Sequence, residues 1–282
     1  MNAYDIITGR IIALLEQGTV PWHKPWTATT GIPQNLITKK PYRGINVFLL
    51  MSMRYASPFW LTFHQTSLLG GSVRKGEKSC PVVFWKPLTV KDDQSAEERK
   101  IPLLRLYHVF NLAQCDGLSF APPPELFAPV GSKPDEIVSA MPNRPVIKHG
   151  MSYAFYSPTA DEVGMPNRDC FDSDAGFYAT LFHELVHSTG HASRLRRSTL
   201  MENTGFGSAP YSREELIAEL GSAFLCGHAG IGNRTIESSA AYLDGWLNKM
   251  KSDRTLIVQA AAQAQKAADY IISKTVGPHD EV

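Results

Sequence analysis

The sequence predicts a mixed α+β protein in two units. Three observations carry this: helix and strand patterns occur in both halves, a proline-rich break divides them, and charge is unevenly shared. The break is Ala121-Pro-Pro-Pro-Glu-Leu-Phe-Ala-Pro-Val-Gly-Ser-Lys-Pro, whose prolines favour an extended spacer. It sets a boundary near residue 128, so the expected units are 1–127 and 128–282. Residues 1–86 hold ten Lys/Arg against three Asp/Glu, a balance of +7. Residues 87–282 hold eighteen against twenty-four, a balance of −6. A basic front and an acidic rear suggest different partners.

A hydrophobic content of 43% with 20% charged residues describes a soluble globular chain. No apolar run approaches bilayer length, so no membrane partner is expected. Asp5, Glu16 and the lack of a small-residue cleavage site argue against a signal peptide at the N-terminus. Cys80, Cys115, Cys170 and Cys226 lie far apart with no C-x-x-C pair. A cytoplasmic location with reduced thiols is the expectation.

In chain order, residues 4–17 place Ile7, Ile11, Leu14 and Leu15 on one face of an amphipathic helix, with Gly18 as its stop. Two prolines then fix a segment in which Trp22 and Trp26 flank His23 and Lys24. Asn35–Asn46, with Lys39, Lys40 and Arg43, reads as a basic turn leading into a helix over 46–55. Trp60–Phe63 and Pro81–Trp85 carry strand signals, separated by a glycine-rich basic loop holding Arg74, Lys75 and Lys78. Residues 91–100 read as a solvated hairpin tip, and 103–110 as its return strand. Past the break, 135–141 reads as a short helix, and 153–156 and 162–165 as two strands around a turn. An edge strand beside the following helix is where an extended peptide would lie.

The front interleaves aromatic residues with cations, the combination used in sequence-tolerant single-strand binding. Trp22, Lys24, Trp26, Lys39, Lys40, Arg43, Arg74, Lys75 and Lys78 are the candidate contacts, whereas Phe48 and Phe84 read as core. No G-x-x-x-x-G-K-[ST] is present, so Gly70–Gly76 is not a nucleotide-binding P-loop.

The rear is organised around Phe177–Gly190, FYATLFHELVHSTG, which contains His183-Glu184-Leu-Val-His187. Residues four apart share a helix face, so both imidazoles can converge on one ion, with Glu184 placed to take a proton from water. A third ligand must come from elsewhere. His191 is one candidate, although Gly190 is expected to end the helix and turn it away. The favoured candidate is Glu215, in a later helix over 212–225, with Glu219 four residues on as a partner orienting a ligand histidine. Glu214 and His228 are weaker alternatives. The bland reading of Glu215 is a capping box with Ser212 as N-cap. Arg194, Arg196 and Arg197 read as caps for the first helix, and Tyr211 as either an oxyanion donor or a packing residue. Two histidines and a carboxylate suit Zn2+, with Mn2+, Ni2+ or Co2+ as substitutes.

The whole chain resembles the ArdC-type antirestriction proteins of conjugative plasmids. In the front half the resemblance rests on Gly18–Trp26, on Asn35–Asn46 with its Pro-Tyr-Arg-Gly-Ile-Asn, and on Val73–Lys78. This half is similar to the single-strand-DNA-binding domain shared with TraC-type primases. In the rear it rests on Ala179–His191, Arg194-Leu195 and Tyr211–Glu219, which are similar to zincin-like metallopeptidase domains. The acid pattern after H-E-x-x-H resembles that of thermolysin-like gluzincins. The resemblance implies single-stranded DNA as ligand and protection of incoming plasmid DNA from host restriction; a protein substrate linked to host restriction is a further partner expected, which the resemblance itself does not specify. The competing expectation is a DNA-binding protein whose metal is structural and closed by four protein ligands, His191 among them.

Overall fold

Asn2 starts the first helix, α1 (Ala3–Glu16): its side-chain oxygen accepts from the Asp5 N–H at 3.0 Å, and the Asp5 carboxylate accepts from the Asn2 N–H at 3.1 Å. Gly18 ends it at φ +72°: its N–H reaches Leu15 O at 2.9 Å and the Thr19 N–H reaches Leu14 O at 2.9 Å. Only a residue without Cβ adopts that left-handed stop freely. The computed structural model describes residues 2–23, 31–91, 98–118, 133–201, 209–231 and 240–273. Within these, side chains are described for all but 87–91, 98–102, 201, 209 and 240. Lys24, Trp26, the tip residues 92–97 and the expected boundary near 128 lie outside the described residues.

After β1 (Gln34–Asn35) comes α2 (Ile45–Ser52), whose INVFLLMS sequence is apolar on every face and is buried from Ile45 to Leu50. Strand β2 (Phe59–Thr62) runs straight into α3 (Phe63–Leu68), because Thr62 and Gln65 form a capping box; Phe63 therefore opens a helix instead of closing a strand. Strand β3 (Ser72–Val73) precedes the long hairpin β4 (Cys80–Lys91) and β5 (Glu98–Asn111), which extends further than the sequence predicts. The first sheet has the order β1-β2-β5-β4, parallel at β1-β2 and otherwise antiparallel. Asn46 pairs with the outer edge of β4, donating to Val83 O at 2.7 Å and accepting from Val83 N at 2.8 Å. Strand β6 (Cys115–Asp116) pairs with β3.

The rear begins with α4 (Pro134–Ala140) and a three-stranded sheet, β7 (Val146–His149), β8 (Phe155–Ser157) and β9 (Glu162–Met165), in the order β7-β9-β8. Five α-helices follow among the described residues: α5 (Asp174–Thr189), α6 (Ser198–Met201), α7 (Ala209–His228), α8 (Ala240–Ser252) and α9 (Leu256–Ile271). The sequence reading assigns no element past His228, where the structure has α8 and α9. The inner face of α9 joins Leu256, Ile257, Val258 and Ile271 to Ala260, Ala261, Ala264, Ala267 and Ala268, whose small side chains let neighbouring helices come close.

One apolar core runs through both halves. Phe48 of α2 stacks on Phe224 of α7 with centroids 4.7 Å apart. Gly44 N donates to Gln265 Oε1 at 3.1 Å, and Thr8 Oγ1 to Arg254 O at 2.6 Å. Two residues expected at a DNA interface belong to this seam instead. Trp22 is fully buried and its indole N–H donates to Glu219 Oε2 at 3.1 Å, so no ring face is open to a base. Arg43 is paired with the buried Asp269 of α9 rather than held out to solvent.

Candidate metal centre

Helix α5 starts at Ser173, whose Oγ accepts from Gly176 N at 3.1 Å, and lies tightly against α7. The closeness depends on Gly221: a Cβ there would stand 2.7 Å from Val186 Cγ2. Ser222 Oγ adds a bond to Ala179 O at 2.8 Å. This approach carries Glu215 of α7 onto the histidine face of α5. His183 Nε2 and His187 Nε2 are 3.0 Å apart, and the Glu215 carboxylate oxygens are 3.5 Å from His183 Nε2 and 3.7 Å from His187 Nε2. Donors bound at ~2.1 Å with tetrahedral angles stand about 3.4 Å from one another, so the three fit one divalent cation. Among the described residues these three form the one cluster of this kind. The triad opens on a cleft of about 770 Å³ that Glu184, Tyr211, His191 and the β8 edge, Phe155 and Tyr156, also line.

Glu215 is therefore not a capping residue. Helix α7 begins at Ala209, upstream of Ser212, which is buried inside the helix. Burial opposes the Glu215 charge, but His183, His187 and a hydrogen bond with Tyr211 outweigh it and hold its pKa below the usual value. Tyr211 is pushed up to about 12 by burial and by the charge of Glu215, so its hydroxyl stays protonated at neutral pH.

The carboxylate against His187 Nδ1 is that of Glu214, not of Glu219. Glu214 Oε1 stands 3.4 Å from His187 Nδ1, and Arg197 grips the same carboxylate at 2.5 and 3.1 Å. Thr199 Oγ1 donates to it at 2.6 Å. Burial disfavours its charge, but these partners win and hold Glu214 at about 2. Burial also pushes His187 down, yet the surrounding carboxylates outweigh it and its pKa is raised. Glu219 faces the seam, taking bonds from Tyr242 Oη at 2.5 Å and Trp22 Nε1 at 3.1 Å. Burial lifts its pKa to about 7. The sequence signal for Glu214 is its place beside Glu215, whereas the spacing that points to Glu219 does not reveal its bonds to Tyr242 and Trp22.

Two of the three arginines cap α5 as expected, Arg197 Nη2 donating to Val186 O at 2.8 Å and Arg194 Nε to Ser188 O at 2.8 Å, whereas Arg196 Nε donates to Ala192 O at 3.4 Å, beyond the helix. Arg194 also pairs with Asp161 in the β8–β9 turn, tying the metal helix to the sheet. Gly190 ends α5 at φ −72°, and its missing Cβ leaves room for Leu200 Cδ2, which would be 2.9 Å away. His191 then turns to Ser193 Oγ at 2.8 Å and stays outside the triad. His228 ends α7 and is likewise outside it.

Of the cations singled out in the front, Lys39, Lys40, Lys75 and Lys78 are exposed. Arg74 is exposed as well, its guanidinium engaged by Glu77 at 2.9 Å, Asp116 at 3.2 Å and Ala113 O at 2.5 Å. Phe48 is core as expected, but Phe84 is 37% exposed.

A metal triad of two histidines from one helix and a glutamate from a second, beside a short sheet with an edge strand on the cleft, defines a zincin-like centre. Residues 135–263 match the model of a zincin-like metallopeptidase, and residues 1–110 that of the N-terminal domain of the anti-restriction factor ArdC. Over its whole length this chain belongs to the ArdC-type antirestriction family. The metal-free structure of the antirestriction ArdC protein from plasmid R388 is 39% identical, covering 97% of this chain and 98% of that one with a TM-score of 0.79. The Mn(II)-bound structure of the same protein is 38% identical over the same shares, with a TM-score of 0.76. The uncharacterized protein y4eC of Sinorhizobium fredii is 36% identical across 96% of this chain and 91% of its own. DNA primase TraC of Escherichia coli is 34% identical across 96% of this chain, which spans 27% of the primase.

Proposed function

We propose that this protein binds single-stranded DNA through residues 1–127 and hydrolyses peptide bonds at the centre in 128–282, protecting incoming plasmid DNA from host restriction. The observation that carries the enzymatic part is the triad His183, His187 and Glu215 opening on the cleft that Glu184 lines. A structural metal would be closed by four protein ligands, and the placement of His191 on Ser193 favours the catalytic reading. Zinc suits the donors; manganese, held by the R388 protein, is the leading substitute. A bound divalent cation would polarise a scissile carbonyl and acidify a water.

The chain's own groups divide the remaining work. Glu184 takes the proton from the attacking water and returns it to the leaving amine. Tyr211, protonated at neutral pH, donates to the developing oxyanion from the cleft wall. The exposed edge of β8 aligns an extended peptide by main-chain hydrogen bonds. Glu214, clamped by Arg197, fixes the His187 ring and keeps its Nε2 turned to the triad. The substrate proposed is a protein linked to restriction, in the cytoplasm.

The test pairs metal analysis with turnover. Wild type should hold about one ion per chain, and His183→Ala or His187→Ala should lose it. Glu184→Gln should keep the ion yet cleave a mixed peptide library about 10²–10⁴-fold more slowly. Full metal in the double histidine variant, or equal turnover by Glu184→Gln, would refute the assignment.

A further inference from the structure

The β4–β5 ribbon has two unlike faces over Val82–Lys86 and their partners Leu103–Tyr107. On one, Trp85 stands edge-on to Tyr4 of α1 at 6.3 Å, and Leu104 and Leu106 are half-buried against the core. The other carries Phe84 opposite Arg105, Lys86 opposite Leu103, and Tyr107 opposite Val82. Phe84 is 37% and Tyr107 40% exposed, with Lys86 and Arg105 exposed beside them. The rings form a row: Tyr42 to Phe84 is 6.0 Å and Phe84 to Tyr107 is 5.6 Å. Tyr42, buried at the base, holds Phe84 in place without covering its outer side.

Sheets keep aromatic rings in water at a cost, so an exposed pair asks for a partner with flat apolar faces. None of the six residues on this face is acidic, and neither Lys86 nor Arg105 has a carboxylate partner among the described residues. Rings on a strand surface flanked by unspent cations suit bases that stack and phosphates that follow. A peptide partner would meet two cations and no counter-charge. We infer that the Phe84–Tyr107 face of the β4–β5 ribbon, with Lys86 and Arg105, is a stacking platform for single-stranded nucleic acid. This rests on the single-strand reading above and relocates its aromatic contacts from the buried Trp22 to the ribbon.

The full-length protein would be titrated against a fluorescein-labelled oligothymidylate over a series of salt concentrations, with anisotropy as readout. Phe84→Leu and Tyr107→Leu each remove a ring and keep apolar bulk. Each should weaken binding about 5- to 100-fold without changing the salt slope. Lys86→Ala with Arg105→Ala should lower the log–log salt slope by about 1.4, at ~0.7 per phosphate contact. Should Phe84→Leu unfold, because the ring rests on Tyr42, Tyr107→Leu and the cation pair decide the matter. Wild-type affinity in all variants would overturn the platform and leave the single-strand reading standing. Equal affinity for a duplex of the same length would also overturn it. No binding by wild type would remove both.

Discussion

Glu214, Glu215 and Glu219 share one helix and meet three different environments, which sets their charges. Glu214 is surrounded by donors and Glu215 by imidazoles, so both stay ionised below the usual range. Glu219 has two neutral donors in a buried seam, and its folded pKa rises from 4.5 to about 7. A carboxyl whose pKa rises on folding binds its proton more tightly in the folded state. Its contribution is therefore full below pH 4.5 and is lost as pH rises through 7. In the metal-free protein, Glu219→Gln should remove that decline and be the more stable form at pH 8, by on the order of 3 kcal/mol at most. Denaturant unfolding at pH 5 and pH 8 checks this; a wild-type and variant difference that does not change with pH would disprove it. The spacing of His183, Glu184 and His187 was legible because one helix fixes it locally, whereas Glu215, on a second helix, was legible only as an acid inside an apolar run. The fate of Glu219 was not, since its partner Trp22 stands 197 residues away in sequence.

Between elements, the metal site depends on how closely α5 and α7 approach. Gly221→Ala would put a Cβ 2.7 Å from Val186 Cγ2, so the helices must separate and Glu215 must withdraw from the histidines. The expected cost is ~1–3 kcal/mol of stability with weaker metal binding. Adding Val186→Ala should restore the affinity. Calorimetric titration with zinc reads both effects, and unchanged affinity in Gly221→Ala would detach the site from this contact. Helices α5 and α7 were legible from motif and capping residues, though α7 starts before its apparent cap. Helices α8 and α9 were not: α9 starts at Thr255 without a side-chain cap, and no chemical motif marks either. Strand β4 runs past the Pro81–Trp85 expected for it, because its backbone stays paired with β5 as far as Lys91, a pairing with a distant strand that its own sequence does not mark.

At the scale of the whole molecule, the two family-matched segments share one core. Helix α1 buries Ile7, Ile11 and Leu15 in the cluster that also holds α8 and α9 residues Trp246, Met250, Ile257 and Ala264. Residues 1–127 expressed alone should expose that face and show no cooperative thermal transition, while the full chain melts once. A sharp transition in the fragment, or two in the full chain, would contradict the shared core. The proline-rich break is visible in sequence, yet a linker says nothing about whether the surfaces beyond it close on each other.

The bond from Trp22 to Glu219 lies one helical turn from the triad's Glu215 and belongs to the front half of the chain. Any ligand of that half that disturbs Trp22 must do work on α7. By thermodynamic reciprocity, the factor by which such a ligand changed cation affinity is the factor by which the cation would change affinity for the ligand. A cell's supply of divalent metal and the arrival of a foreign strand would then be two inputs to one equilibrium, read through a single indole.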